Sequence, residues 1–140
     1  MTLIDKYRQS NNFGRLIDMD FEIIADGIVE YRITITQAHL ATPGAAHGGL
    51  ISALVDGALG VAALSAVHKL NKVVSTIEFK LNFLAPALLN DRIVAKAKVD
   101  QLGNRIIISS CDVICLNRDN KLLAKAMGTF NAYDAAKAGY

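Results

Sequence analysis

Two features of this 140-residue sequence could do chemistry. Asp56 is the only charge between residues 50 and 67, a stretch that is otherwise almost wholly apolar. An ionised carboxylate in such surroundings is costly unless it is paired or solvated. In a pocket, such a group is a candidate general base or nucleophile. Eight residues upstream, His47-Gly48-Gly49 stands where the apolar run begins. The first N–H groups of a helix have no partner within its first turn and favour negative charge. They could polarise a carbonyl or hold an oxyanion, and glycine would let the ligand come close to the backbone. Both features also have a plainer reading: a flexible helix-opening turn for the glycines, and an exposed or structurally bonded carboxylate for Asp56.

The other reactive residue types offer less. Cys111 and Cys115 lie in one strand-like run, where four residues span about 13 Å, beyond disulfide reach. They read as free thiols filling the core, which suits a reducing, cytoplasmic setting. His39 and His68 flank the apolar segment without metal-ligand spacing, so no metal site is expected. Fifteen Lys and Arg against thirteen Asp and Glu give a net charge of +2 without a basic block. No nucleic-acid footprint is visible, although an anionic small ligand is compatible with that charge. Residues 1–13 lack the basic head and apolar stretch of a signal peptide. The run 50–67 approaches bilayer-spanning length. Asp56 near its centre, at about 2.5–3.5 kcal/mol on insertion scales, argues against a membrane span.

These residues need elements to position them. Residues 3–12 suit a short amphipathic helix, and 21–35 hold two strands separated at Asp26-Gly27, a favoured hairpin pair. Val29, Tyr31, Ile33 and Ile35 alternate with Glu30, Arg32 and Thr34, the pattern of a half-buried strand. After the Thr42-Pro43-Gly44 break, residues 50–70 are too long for an ordinary strand and read as one helix, apolar on nearly every side and therefore buried. Gly57 and Gly60 would each cost this helix about 1 kcal/mol relative to Ala, so tertiary contacts must compensate.

Strands are predicted at 73–84, 92–101, 105–116 and 122–131. In the first, Ile77, Phe79, Leu81 and Phe83 share one face and Thr76, Glu78, Lys80 and Asn82 the other. Glu78 and Lys80 read as a solvated or interfacial strand pair. Turns at Gly103-Asn104 and 117–120 make the last three strands an antiparallel meander. Residues 1–140 thus form one α+β domain, an antiparallel sheet curled around a central helix with one face left for a partner.

The segments HGGLISALVDGALGVAA and STIEFKLNFLAPA together resemble the acyl-CoA thioesterases of the hotdog superfamily. The nearest likeness is to the phenylacetyl-CoA and human thioesterase-superfamily-member-2 branch, with 4-hydroxybenzoyl-CoA thioesterases more distant. It extends over about residues 21–131. The resemblance implies a hotdog fold, a homodimer that often pairs again into a homotetramer, an acyl-CoA substrate, and no metal or redox cofactor. It matches Gly48 to the N–H that polarises the thioester carbonyl and His47 to its flanking His. Asp56 matches the general base or nucleophile, and Thr76 a Ser or Thr that helps place the acid or water. Gly49, Ala41 and Thr42 fall at substrate-binding positions.

One departure stands out. Members of the branch often carry Asn six residues before the HGG His, where this chain has Ala41; Thr42 or Gln37 could supply part of its role. That difference motivates a rival reading, a non-catalytic acyl-CoA-binding or regulatory protein. A hydratase on the same fold is less well matched, because its His-containing loop and acid arrangement are not found. Arg92, Lys96, Lys98, Arg105, Arg118 and Lys121 are candidate contacts for CoA phosphates, though each alone reads as solvated surface. Gly48 and Asp56 would lie about 12 Å apart along one helix, too far to address one carbonyl easily. A site composed from two subunits is therefore expected.

Overall fold

The computed structural model describes all 140 residues, Met1–Tyr140. Two short helices, α1 (Leu3–Ser10) and α2 (Asn12–Leu16), precede the hairpin β1 (Asp20–Ala25) and β2 (Ile28–Thr34). A small ribbon, β3 (Leu40–Thr42) and β4 (Ala45–Ala46), leads into the long helix α3 (Gly48–Val67). Four strands follow: β5 (Lys72–Phe83), β6 (Arg92–Leu102), β7 (Ile106–Cys115) and β8 (Lys121–Asp134). Helix α2 and the β3–β4 ribbon are too short to show a hydrophobic period and are absent from the sequence-based reading.

The six long strands form one sheet in the order β1-β2-β6-β7-β8-β5, and every pairing is antiparallel. The expected meander is β6-β7-β8. Helix α3 packs across the concave side, and Leu54, Val55, Ala58, Leu59 and Ala62 are fully buried against it. Val29, Tyr31, Ile33 and Ile35 point into the same core while Arg32 and Thr34 are exposed. This is the α+β hotdog arrangement that the sequence implies. The helix is long and apolar enough to cross a bilayer, yet 67% of its most apolar window is buried inside the domain.

Close approach accounts for the glycines in α3. A Cβ on Gly57 would lie 3.0 Å from the Tyr31 ring, and one on Gly60 would lie 3.2 Å from Phe130. The helix thus gains contact with the sheet in return for its lost propensity. Ser65, also on α3, is buried and accepts the Gly27 N–H of the β1–β2 turn at 2.8 Å. Gly27 has φ +80°, which explains its place in that turn.

Some expectations change. Arg118, a candidate phosphate contact, instead holds the buried Asp91 through Nε at 3.0 Å and Nη2 at 2.6 Å. Nη2 also donates to the Pro86 carbonyl, which fastens the loop after β5. Burial works against the Asp91 carboxylate, but Arg118 and the Leu88 N–H outweigh it and hold its pKa below the usual value. The stabilisation is therefore fully present above the ordinary carboxylate pKa and is lost as pH falls through the lowered one. Arg118→Met is expected to cost about 2–3 kcal/mol at neutral pH by stranding that carboxylate. Urea unfolding with an unchanged slope is the check, and an unchanged midpoint would refute it. Cys111 and Cys115 are free and buried, and burial pushes the Cys111 thiol up to about 12. His39 is likewise a structural group: Nδ1 accepts the Thr36 N–H at 3.0 Å and Nε2 lies 2.8 Å from the Ile17 carbonyl.

Candidate active site

Two half-sites lie at different points along α3. At its first turn, His47 is extended (φ −63°, ψ 134°) and caps the helix with its own ring, Nδ1 accepting the Gly49 N–H at 2.7 Å. An accepting Nδ1 places the neutral ring's proton on Nε2. The Leu50 N–H turns back to the His47 carbonyl at 2.9 Å. Gly48 N–H alone of these three is left without an acceptor in the chain. This refines the expectation for Gly49, whose N–H is already engaged and cannot also serve a ligand.

The two glycines differ in a second way. A Cβ on Gly49 would sit 2.8 Å from His47 Nδ1, so the cap itself demands glycine there. A Cβ on Gly48 would meet only the Phe83 ring at 3.5 Å, an ordinary contact. Packing within this chain does not require glycine at 48. Gly48 lines a cavity of about 290 Å³ together with Ala46, Ile51, Phe83, Leu84, Pro86 and Leu123 among others. Ala41 and Thr42 are exposed on the ribbon that delivers His47, and the His47 N–H is anchored on the His39 carbonyl at 2.8 Å.

Two turns further along α3, half-buried Asp56 accepts a hydrogen bond from Thr76 Oγ1 at 2.7 Å. A bulge in β5 makes this contact. Thr76 pairs with Phe130 and Glu78 with Thr129, which leaves Ile77 over as an extra residue. The alternation read from sequence is therefore broken at Ile77. Thr76, Phe79, Leu81 and Phe83 lie opposite the buried Phe130, Gly128, Ala126 and Ala124 and share the helix side. Glu78 falls on the outer side, where it accepts from Thr129 Oγ1 at 2.7 Å in place of the expected Lys80 pairing. Bulges re-aim side chains at functional sites in this way.

The Asp56 cavity, about 260 Å³, is lined by Val61, Leu64, Val73, Val74 and Phe130 and by three tyrosines, Tyr7, Tyr133 and Tyr140. The chain's two ends close it: Tyr7 comes from α1, and Tyr140 is bonded through its hydroxyl to Ser10 Oγ at 2.5 Å. Burial, with Tyr140 and Asp56 nearby, raises the Tyr7 hydroxyl above its ordinary pKa and keeps it neutral. The sequence reading missed these tyrosines because nothing local in the terminal segments ties them to residue 56. Asp56 and Thr76 thus share one cavity, Gly48 lines another, and the two halves do not meet within one chain.

The family model of the thioesterase superfamily matches residues 43–120, a span that contains both half-sites. A protein of Schizosaccharomyces pombe that bears an esterase name is 32% identical over 123 residues, covering 86% of this chain and 74% of the relative. Among solved structures, the PaaI protein of the Escherichia coli phenylacetic acid degradation operon superposes with TM-score 0.84 at 18% identity, over 93% of this chain and 90% of that one. A hypothetical thioesterase of Streptococcus pneumoniae, solved with coenzyme A, has TM-score 0.74 and 22% identity, over 83% of this chain and 86% of the other. The chain belongs to the thioesterase superfamily and is a thioester hydrolase of the hotdog fold.

Proposed function

We propose that the protein hydrolyses an acyl-CoA thioester at a site shared by two copies of the chain. The observation that carries this reading is the separation of a free backbone donor, Gly48 N–H, from a Thr76-held carboxylate, Asp56, in two cavities along one helix. The edge strand β5 supplies a way to join them. Its 12 residues are bonded to β8 on one side only, and Ile77, Phe83 and Leu84 beside the free edge are each more than half exposed. Such an edge is a template for another strand. Thr76 lies beside Asp56 and Phe83 beside Gly48. An antiparallel pairing of two β5 strands that sets Thr76 against Phe83 of the partner subunit would carry the partner's Gly48 towards Asp56. Its two-fold axis would pass near Phe79 and Lys80 and create two equivalent sites.

At each site, Gly48 N–H of one copy binds the thioester oxygen as negative charge develops there. Asp56 of the other either accepts the proton of an attacking water or attacks the carbonyl itself. The C–S bond breaks and the CoA sulfur takes up a proton and leaves as the thiol; the acyl group becomes the free acid directly when water attacks, or, when Asp56 attacks, through an acyl–Asp56 anhydride that water then hydrolyses to the acid and the regenerated carboxylate. Within one copy, the cavity beside Asp56 has about 260 Å³ into which an acyl group could extend. Coenzyme A in the Streptococcus relative supports CoA as the carrier.

A panel of acyl-CoAs with spectroscopic detection of released thiol tests the reading. Thiol release from at least one member is expected, and it should fall about 5- to 30-fold in Thr76→Val, the effect of losing a charged hydrogen bond of about 1–2 kcal/mol. Tight binding with no thiol release would favour the non-catalytic reading, which draws on Ala41, a side chain with no hydrogen bond to offer where relatives often have Asn.

A further inference from the structure

The cavity beside Asp56 has two distinct ends. On α3, the lining residues Asp56, Gly60 and Leu64 follow one another at four-residue steps along one side of the helix, about 12 Å from first to last. On β5, Thr76, Val74 and Val73 line it over about 10 Å. Both rows lead from the carboxylate towards the α3–β5 connection. That far end adjoins the end of β8, because Lys72 pairs with Asp134 and the Ala135 N–H donates to the Asn71 carbonyl at 3.0 Å. Asp56 is the only charged residue on the lining.

A short 3₁₀ turn, Ala135–Ala138, starts at that far end. Asp134 Oδ1 caps it by accepting the Ala136 N–H at 2.9 Å. Gly139, at φ +88°, then reverses the chain so that the Tyr140 N–H returns to the Ala135 carbonyl at 3.2 Å. This puts the half-buried Tyr140 ring on the cavity wall, with its hydroxyl 2.5 Å from Ser10 Oγ on α1. Ser10 Oγ donates its single proton to the Tyr7 carbonyl at 3.0 Å, so the Tyr140 hydroxyl is the donor of the pair. No other hydrogen bond joins residues 135–140 to α1.

We infer that the Tyr140–Ser10 contact sets the greatest length of acyl group the protein accepts, and that this group carries no charge at its far end. The inference rests on the reading of Asp56 as the reacting end of the cavity. An acyl chain that enters beside Asp56 gains about fourfold in affinity for each methylene it buries along Val61, Leu64, Val73 and Val74. The gain stops at the Tyr140 ring. A longer chain must displace that ring, which breaks the bond to Ser10, so its affinity is reduced to the fraction of molecules in which the contact is open. Ser10 is therefore a positioning residue that acts through Tyr140. A terminal carboxylate on the acyl group would be buried with no cation on the lining to pair it, which excludes that class of substrate.

Titration calorimetry with ketone analogues of acyl-CoA, in which a methylene between carbonyl and sulfur blocks hydrolysis, tests the inference over straight chains of increasing length. Wild-type affinity is expected to rise with length and then drop. Ser10→Ala and Tyr140→Phe should each raise the affinity of the first analogues beyond the drop by about 2- to 12-fold, the effect of one hydrogen bond. The double variant should gain no more than either single change, since both remove the same bond. Ser10→Thr, which keeps the acceptor, should retain the wild-type drop. Circular dichroism establishes that each variant is folded, and Tyr140→Phe reports on the same bond if Ser10→Ala does not fold. A series with no drop, a drop that no folded variant moves, or a change equal at every length, as a merely structural role predicts, overturns the inference. Thiol release from the matching acyl-CoAs is read separately. A movable length limit without thiol release would overturn hydrolysis and uphold the limit, whereas thiol release with an immovable limit would do the reverse.

Discussion

Asp56→Asn is expected to lower thioester hydrolysis by at least about 100-fold, the lower end of a general base's usual contribution, with the fold unchanged. The substitution keeps the side chain's shape, and its amide oxygen can still accept the Thr76 hydroxyl that now bonds Asp56 Oδ1 at 2.7 Å. What it removes is the capacity to take a proton or to attack as a carboxylate. A purely structural role predicts instead a lower melting temperature with near-normal turnover per folded molecule. Asp56 is half-buried at a cavity wall and makes no ion pair, so the neutral amide should melt at or above the wild-type temperature. Turnover at saturating substrate, read beside circular dichroism and thermal melting, separates the two. A folded Asp56→Asn protein with near-normal turnover would remove Asp56 from the chemistry.

Much of this architecture is legible in the sequence because it rests on periods that burial enforces. The alternation from Val29 to Ile35 survives intact, since one side of β2 faces the core along its whole length. The long apolar run becomes α3, and its lone acid falls beside Thr76. What the sequence conceals depends on contacts between distant segments. The bulge at Ile77 is a mismatch between two strands fifty residues apart, so neither strand announces it alone. Arg118 reads as surface until Asp91 and the Pro86 carbonyl are brought to it across the fold. The tyrosines from the two chain ends meet Asp56 only once α1 and the C-terminus have packed. Gly49 shows the same limit at short range, for only the His47 rotamer reveals that its N–H is already taken.

The second large effect is restoration of activity by mixing two inactive proteins. If each site joins Gly48 of one subunit to Asp56 of the other, Gly48→Leu should disable both sites of its own homodimer by filling the space beside Phe83 that the thioester needs. The fold should persist, because a Cβ at Gly48 makes only an ordinary contact and the leucine body can extend into the adjoining cavity. Asp56→Asn should disable both sites of its own homodimer in turn. In a heterodimer of the two variants, one site receives both altered residues and the other receives neither. The mixture should then recover about a quarter of wild-type turnover, since random exchange makes half the dimers mixed and each has one of its two sites intact. Co-expression under two affinity tags, followed by purification through both, isolates the heterodimer and raises the expectation to about half. The same result excludes a site contained in one chain, because no subunit in the mixture carries both Gly48 and Asp56. Purified heterodimers that are folded yet no more active than either parent would show that the two half-sites along α3 are not joined across the β5 edge.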